Sequence, residues 1–129
     1  MSISPSTLYY TAALLHAATI PKHTLVGLNK IAPASATITG DQHAVTKKLI
    51  TPTWLHTNVF LATFVLLNLK WAKSGGPATF EEKVIVWVQA VAGAWVGLKY
   101  YQAKMYVGLG VLWGAAGATT AAMLLQEAM

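Results

Sequence analysis

The run "VFLATFVLLNL", Val59 to Leu69, decides the fold class. It contains no charged residue, and together with its flanks from Pro52 to Trp71 it approaches the roughly 20 residues that a helix needs to cross a bilayer. Its apolar residues do not alternate with polar ones, as they would in a half-exposed strand. A helix also pairs every backbone donor and acceptor within itself, which lipid requires. The run therefore predicts a membrane-spanning helix that begins near Pro52, since proline suits a first helical turn.

Three further apolar segments have similar lengths, over about residues 6–28, 84–98 and 106–126. The last two are joined by a stretch without Gly or Pro. We place a turn there because a single helix from Val84 to Leu125 would span roughly 60 Å at 1.5 Å per residue, about twice the hydrocarbon core. The sequence thus predicts an all-α fold, a single domain over residues 1–129. This domain is an integral membrane bundle of four transmembrane helices with a long polar loop over 29–51.

The composition and the charge pattern agree with a membrane location. Hydrophobic residues make up 55% of the chain and charged residues 10%, whereas a soluble domain carries about 25% charged residues. The net charge of +5 comes from lysines that flank apolar runs, which is typical of membrane edges rather than of a nucleic-acid interface. Lysine counts place loops one and three in the cytoplasm, and both termini on the other side. Tryptophans near the predicted helix ends resemble interfacial aromatics: Trp54, Trp71, Trp87 and Trp113.

A polar stripe interrupts the first apolar segment, where Tyr9, His16, His23 and Lys30 recur at seven-residue intervals. This spacing drifts only about 20° per step around a helix, so the four residues share one face. Because polar groups are costly in lipid, we expect the stripe to line a cavity inside the bundle. Similar stripes are His56, Thr63 and Lys70 in the second helix, and Gln89, Gly93 and Tyr100 in the third.

Pro21 leaves a second interpretation of this stripe open. If the first helix ends at Pro21, His23 lies at the membrane surface and Lys22 extends to the lipid headgroups. His16 and His56 would then serve only as hydrogen bonds between helices. If the helix continues, Pro21 bends it and makes room beside His16.

Two GxxxG pairs, Gly93 with Gly97 and Gly110 with Gly114, lie on the third and fourth segments. Glycines four residues apart let two helix backbones approach closely. We therefore expect all four glycines at helix–helix contacts, either within the bundle or in an oligomer.

Two passages carry a family resemblance: "TGDQHAVTKKLITPTWLHTNVFLATFVLL" and "LKYYQAKMYVGLGVLWG". They resemble the membrane-associated proteins in eicosanoid and glutathione metabolism (MAPEG), small four-helix membrane proteins with a long cytoplasmic first loop and usually a trimeric assembly. Asn58 falls where that family has an asparagine in its second helix. The resemblance implies glutathione as a cofactor, but the family holds it with arginines and a glutamate. This chain has no arginine, and no acidic residue between Asp41 and Glu81.

These features favour a membrane-embedded enzyme that acts on a lipophilic small molecule, of the isomerase, cyclase or conjugating type. His16 and His56 are the candidate general acid and base, because imidazole titrates near neutral pH. Tyr9, Tyr100 and Tyr101 are the candidate donors to a developing oxyanion, with Tyr9 taken as the catalytic one. The candidate substrate-binding residues are His23, Asn58, Gln89 and Tyr100. We expect a multi-pass protein of the endoplasmic reticulum or another internal membrane.

Two other functions fit the same pattern. A non-catalytic accessory or assembly subunit would use the GxxxG faces for a membrane-protein partner or a second copy. A small transporter would need an inverted repeat, and none is visible. A b-type haem between His16 and His56 is disfavoured, because these residues fall at different depths in antiparallel helices. No metal site is expected, because no helix carries an HxxxH pair or a cluster of His with carboxylates.

Overall fold

A computed structural model describes residues 4–129, and this range is almost entirely helical, with no β-strand in it. The helices are α1 (Pro5–Val26), α2 (Ala32–Ala36), α3 (Ala44–Ser74), α4 (Phe80–Gln102), α5 (Tyr106–Leu109) and α6 (Ala116–Glu127). Two π-helical segments, Gly27–Ile31 and Gly110–Ala115, join α1 to α2 and α5 to α6. A 3-10 turn covers Asp41–His43. The all-α prediction is confirmed.

Three helical stretches are long and apolar enough to cross a membrane by length and composition: Asp41–Ser74, Phe80–Gln102 and Tyr106–Glu127. The helix α1 is not among these three stretches. It carries the polar residues His16, Lys22 and His23. Large apolar side chains lie exposed on the helix surfaces, for example Leu14 and Val91, each 69% exposed. Such a surface is expected where lipid replaces water as the solvent.

The polar loop predicted over 29–51 is mostly helical. The helix α1 continues through Gly27–Ile31 into α2, and α3 begins at Ala44, so only residues 37–43 link the two long helices. Pro52 therefore lies well inside α3 rather than in its first turn, and the interpretation that α1 ends at Pro21 is wrong. Both prolines are exposed.

The other two connections lie where the sequence predicted them. Thr79 and Glu82 form a capping box at the start of α4, with Thr79 Oγ1 accepting from the Glu82 backbone N–H at 3.3 Å. The helix α4 ends at Gln102 and α5 begins at Tyr106, with Lys104 at a φ of 57° between them. The helix α4 is longer than the predicted 84–98, because it starts at its cap and runs to this turn.

The four long helical stretches meet in one small core. The helix α1 packs against α3 and against the stretch from Tyr106 to Glu127, which also packs against α4. Tyr9, Trp71, Val86 and Met123, one from each stretch, form a buried cluster. Trp71 is fully buried, which corrects its assignment as an interfacial aromatic, and its Nε1 donates to Glu82 Oε1 at 3.3 Å.

Gly93 and Gly97 are buried where α4 meets the segment Gly110–Ala115. A Cβ at Gly93 would overlap the Leu112 carbonyl oxygen, and a Cβ at Gly97 would overlap the Trp113 indole. The predicted close contacts are thus confirmed for this pair. In the second pair, Gly110 has open space where its Cβ would be, and Gly114 meets only the Leu15 side chain at 3.6 Å. The prediction of a helix–helix contact within the chain is therefore wrong for Gly110.

Candidate functional site

A cavity of about 570 Å³ opens at the end of the molecule where α1 enters Gly27–Ile31 and α4 turns into α5. This volume lies within the range of small-molecule sites. Most of the wall is apolar, with contributions from Leu15, Val26, Met105 and Val111. Its polar side chains include Lys22, His23, Lys30, Tyr100, Lys104 and Tyr106. An apolar wall with a few convergent polar groups is the usual form of a ligand site.

His23 is held at the wall of this cavity by Trp54. The two rings stack with centroids 4.4 Å apart and planes 2° apart, and Trp54 Nε1 donates to the His23 carbonyl oxygen at 3.0 Å. Gly27 admits the indole, because a Cβ there would lie 2.7 Å from Trp54 Cδ1. The Nδ1 atom of His23 is buried and has no hydrogen-bond partner among the described residues. The imidazole is therefore oriented by the Trp54 indole, with Nδ1 enclosed by protein rather than open to the cavity.

Tyr100 lies against the backbone on the opposite side of the cavity. Its ring covers Gly108, where a Cβ would overlap the Tyr100 ring carbons. The turn between them is closed by a hydrogen bond from the Met105 N–H to the Tyr100 carbonyl oxygen at 2.9 Å. The structure thus places two of the predicted substrate-binding residues, His23 and Tyr100, on one cavity.

The other two predicted binding residues lie in helix interfaces. Asn58 Nδ2 donates to Thr24 Oγ1 at 2.8 Å, next to His23 in sequence, and Asn58 Oδ1 is buried without a partner. Gln89 Nε2 contacts His16 Nε2 at 2.9 Å and links α4 to α1. Neither residue lines the cavity.

His16 is buried with both ring nitrogens engaged. Its Nδ1 contacts the Ala12 carbonyl oxygen at 2.7 Å. A carbonyl only accepts, so Nδ1 carries the proton and Nε2 accepts from the Gln89 amide. The ring also stacks on Phe64 at 5.5 Å. Its geometry is that of an interhelical hydrogen bond.

His56 does not lie beside His16 in the structure. It is exposed beside Phe60, with ring centroids 5.4 Å apart, and Thr63 and Lys70 of the same stripe are exposed as well. The predicted second stripe faces outward, because α3 directs a different row of residues towards the bundle. The expected His16–His56 pair is therefore absent.

Tyr9 lies in the buried cluster with Trp71, not at the cavity. Its hydroxyl donates to Gln126 Oε1 at 3.5 Å. The prediction that the first stripe shares one cavity is wrong for Tyr9 and His16, which do not line it, whereas His23 and the exposed Lys30 do. The stripe does face protein at Tyr9 and His16, both of which are buried.

A buried pair that the sequence did not single out joins α3 to α6. Asn68 and Thr119 are both fully buried, and Thr119 Oγ1 donates to Asn68 Oδ1 at 2.8 Å. Their chain separation of 51 residues leaves no local pattern that could have paired them.

We expect Thr119→Val to lower the stability of the bundle by about 1–2 kcal/mol, because it keeps the shape of the side chain and removes the donor to Asn68. The matched control is Thr63→Val, the same change on the exposed face of α3. Unfolding of both variants in mild detergent measures the difference. Equal stability of the two would show that the buried bond contributes nothing.

The charges divide unevenly between the two ends of the molecule. The cavity end holds six lysines and one acid: Lys22, Lys30, Lys47, Lys48, Lys99, Lys104 and Asp41. The opposite end holds three of each: Lys70, Lys73, Lys83, Glu81, Glu82 and Glu127. Ion pairs within residues 4–129 join Lys70 to Glu82 and Lys83 to Glu127, each at 2.6 Å. The whole formal net charge of +5 therefore belongs to the cavity end.

Groups of three or more His, Cys, Asp or Glu that could hold a metal ion are absent from the described part of the chain. The candidate site is therefore the basic, aromatic-walled cavity with His23 and Tyr100 on its walls. Comparisons of the chain with protein-family models, with curated proteins and with solved structures gave no match.

Proposed function

We propose that this protein is a multi-pass integral membrane protein that binds a lipophilic small molecule in the cavity between α1, α4 and α5. The observation that supports this most is the cavity itself, with apolar walls and with His23 and Tyr100 converging on it. The exposed apolar surface of the helices adds support, because it suits lipid as the source of such a molecule.

In this proposal α1 is the fourth membrane-crossing helix. Its 22 residues rise about 33 Å, close to the roughly 30 Å of a hydrocarbon core. The polar side chains that lower its hydropathy include Tyr9 and His16, which are buried against other helices. They would therefore not meet lipid when α1 crosses the bilayer.

We assign any catalysis to His23 rather than to His16 and His56. Within the described residues, His23 is the histidine that lines the cavity, whereas both ring nitrogens of His16 are engaged and His56 is exposed elsewhere. Tyr100 on the same cavity is the candidate donor to a substrate oxygen. Proton-transfer chemistry such as isomerisation fits this pair, because it needs no carboxylate and no metal.

The test is to fill the cavity. Ala18 lines it, whereas the neighbouring Ala17 is exposed elsewhere on α1, so Ala18→Phe and Ala17→Phe form a matched pair. Native mass spectrometry of the purified protein should show a small molecule retained by the wild type and by Ala17→Phe. Retention by Ala18→Phe should fall at least about tenfold, or 1.4 kcal/mol.

Equal retention by both variants would contradict this assignment of the cavity. If the wild type itself retains nothing, the function as a binder of lipophilic molecules fails, and the accessory-subunit alternative takes its place.

A further inference from the structure

We propose that the ligand of this cavity is a phosphorylated amphiphile, and that Lys22, Lys30 and Lys104 hold its phosphate. This inference rests on the proposed binding function and names the ligand class for the same site. Its basis is the position, pairing and charge of these three lysines.

The three lysines reach the cavity from two distant parts of the chain. Lys22 and Lys30 lie on the continuous helix formed by α1 and Gly27–Ile31, and Lys104 lies in the turn between α4 and α5. Backbone hydrogen bonds fix that turn, with the Lys104 N–H donating to the Tyr101 carbonyl oxygen at 3.0 Å. The convergence is thus a property of the fold and not of one flexible loop.

The ion pairs within residues 4–129 are Lys70–Glu82 and Lys83–Glu127. Neither these carboxylates nor Asp41, the acid at the cavity end, pairs with any of the three lysines. Cations gathered around one opening repel each other. A bound anion would relieve this repulsion. A neutral or cationic ligand would leave it in place.

The number of lysines favours phosphate over a single carboxylate. A phosphate monoester carries a charge of about −1.5 to −2 at pH 7 and offers three acceptor oxygens. Lysine is a common phosphate ligand because its ammonium acts as a compact charge with three donors. One carboxylate would leave most of the positive charge uncompensated.

Further from the cavity end than the lysines, the wall includes Leu15 on α1 and Val111 after α5, and Val26 lies between Lys22 and Lys30. These apolar side chains suit an apolar chain. The segments Gly27–Ile31 and Gly110–Ala115 both contribute to the lining, and π-helical segments within α-helices often mark functional sites. A phosphate with an apolar tail therefore matches the charge and the wall together.

The experiment compares three probes on the full chain purified in a neutral detergent: dodecyl phosphate, dodecanol and inorganic phosphate. Native mass spectrometry measures how many molecules are bound and how tightly. We expect one dodecyl phosphate per chain, with weak or no binding of dodecanol and inorganic phosphate. This result would show that the bound phosphate group belongs to a membrane amphiphile and not to a soluble phosphate.

The triple variant Lys22→Gln, Lys30→Gln, Lys104→Gln should bind dodecyl phosphate at least about tenfold more weakly, since one charged hydrogen bond alone contributes about that much. The matched control removes the same charge from the same end outside the cavity: Lys47→Gln, Lys48→Gln, Lys99→Gln. It should bind as the wild type does. Thermal unfolding of both triple variants checks that they fold equally well.

Four results would overturn the inference. If dodecanol binds as tightly as dodecyl phosphate, the cavity is a lipophilic site but does not recognise phosphate. Equal losses in both triple variants would assign the effect to general charge at this end. Inorganic phosphate competing at the same concentration would assign the site to a soluble phosphate. If neither dodecanol nor dodecyl phosphate binds, the proposed function fails together with the inference.

Discussion

Replacing Trp71 by alanine should destabilise the protein by about 3–5 kcal/mol, the range found for removing a large aromatic side chain from a core. Trp71 is fully buried, and its ring lies 6.1 Å from that of Tyr9, centroid to centroid. Its indole N–H also donates to Glu82 Oε1, so the change removes packing and one of the two donors to that oxygen, the other being Lys70 Nζ. The loss is large because this cluster joins all four long helical stretches.

Trp95→Ala is the matched control, since Trp95 on α4 is 65% exposed. We expect a change of less than about 0.5 kcal/mol, as for other surface substitutions. The measurement is reversible unfolding of both variants in mixed micelles with increasing denaturing detergent. Similar losses in the two variants would show that the cluster around Trp71 does not hold the bundle together.

Replacing Gly97 by leucine should destabilise the bundle by about 3 kcal/mol, near the upper end of overpacking effects. A Cβ at Gly97 would overlap the indole of Trp113, so α4 and the segment Gly110–Ala115 would have to separate. The same separation would disturb Gly93, which touches the backbone of that segment one turn earlier.

The control is Gly117→Leu on α6, because Gly117 is exposed and has open space where its Cβ would be. Leucine has the better helix propensity, so this variant should be unchanged or more stable by up to about 0.8 kcal/mol. The melting temperatures of both variants in detergent provide the comparison. Unchanged melting of Gly97→Leu would contradict the close contact between these helices.

The parts of the fold that composition determines could be predicted from the sequence. The run from Val59 to Leu69 lies within α3, and the capping box of Thr79 and Glu82 begins α4. The polar loop could not be predicted correctly. Small and polar residues such as those of 32–36 are compatible with helix or loop, and only their position beside α3 favours the helix.

The orientation of α3 could not be predicted, because apolar residues surround the whole helix. Seven-residue spacing shows which residues share a face, but not which face meets the bundle. His56 lies on one face of α3, and Asn58 and Asn68 lie on the other. The face with the two asparagines meets the bundle, where Asn58 bonds to Thr24 and Asn68 to Thr119. Those partners are distant in sequence.

The sequence predicted that a cavity with polar residues exists, but not where in the molecule it lies. His23 and Tyr100 were identified as binding residues from their stripes, and both line it. Of the three lysines, Lys30 belonged to the predicted stripe, whereas Lys22 and Lys104 were interpreted only as residues of the membrane edge. Their convergence depends on the turn at Lys104 and on the segment that carries Lys30, and neither has a local sequence signal.

The central claim, that four helices cross the membrane and place the basic cavity end in the cytoplasm, is tested most directly by cysteine labelling. The chain has no native cysteine, so single substitutions report cleanly. In sealed membranes, Thr39→Cys should react with an impermeant reagent only from the cytoplasmic side. Ile3→Cys, Ala78→Cys and Ala128→Cys should react only from the opposite side. Labelling of positions 3 and 39 from the same side would show that α1 does not cross, and would contradict the account.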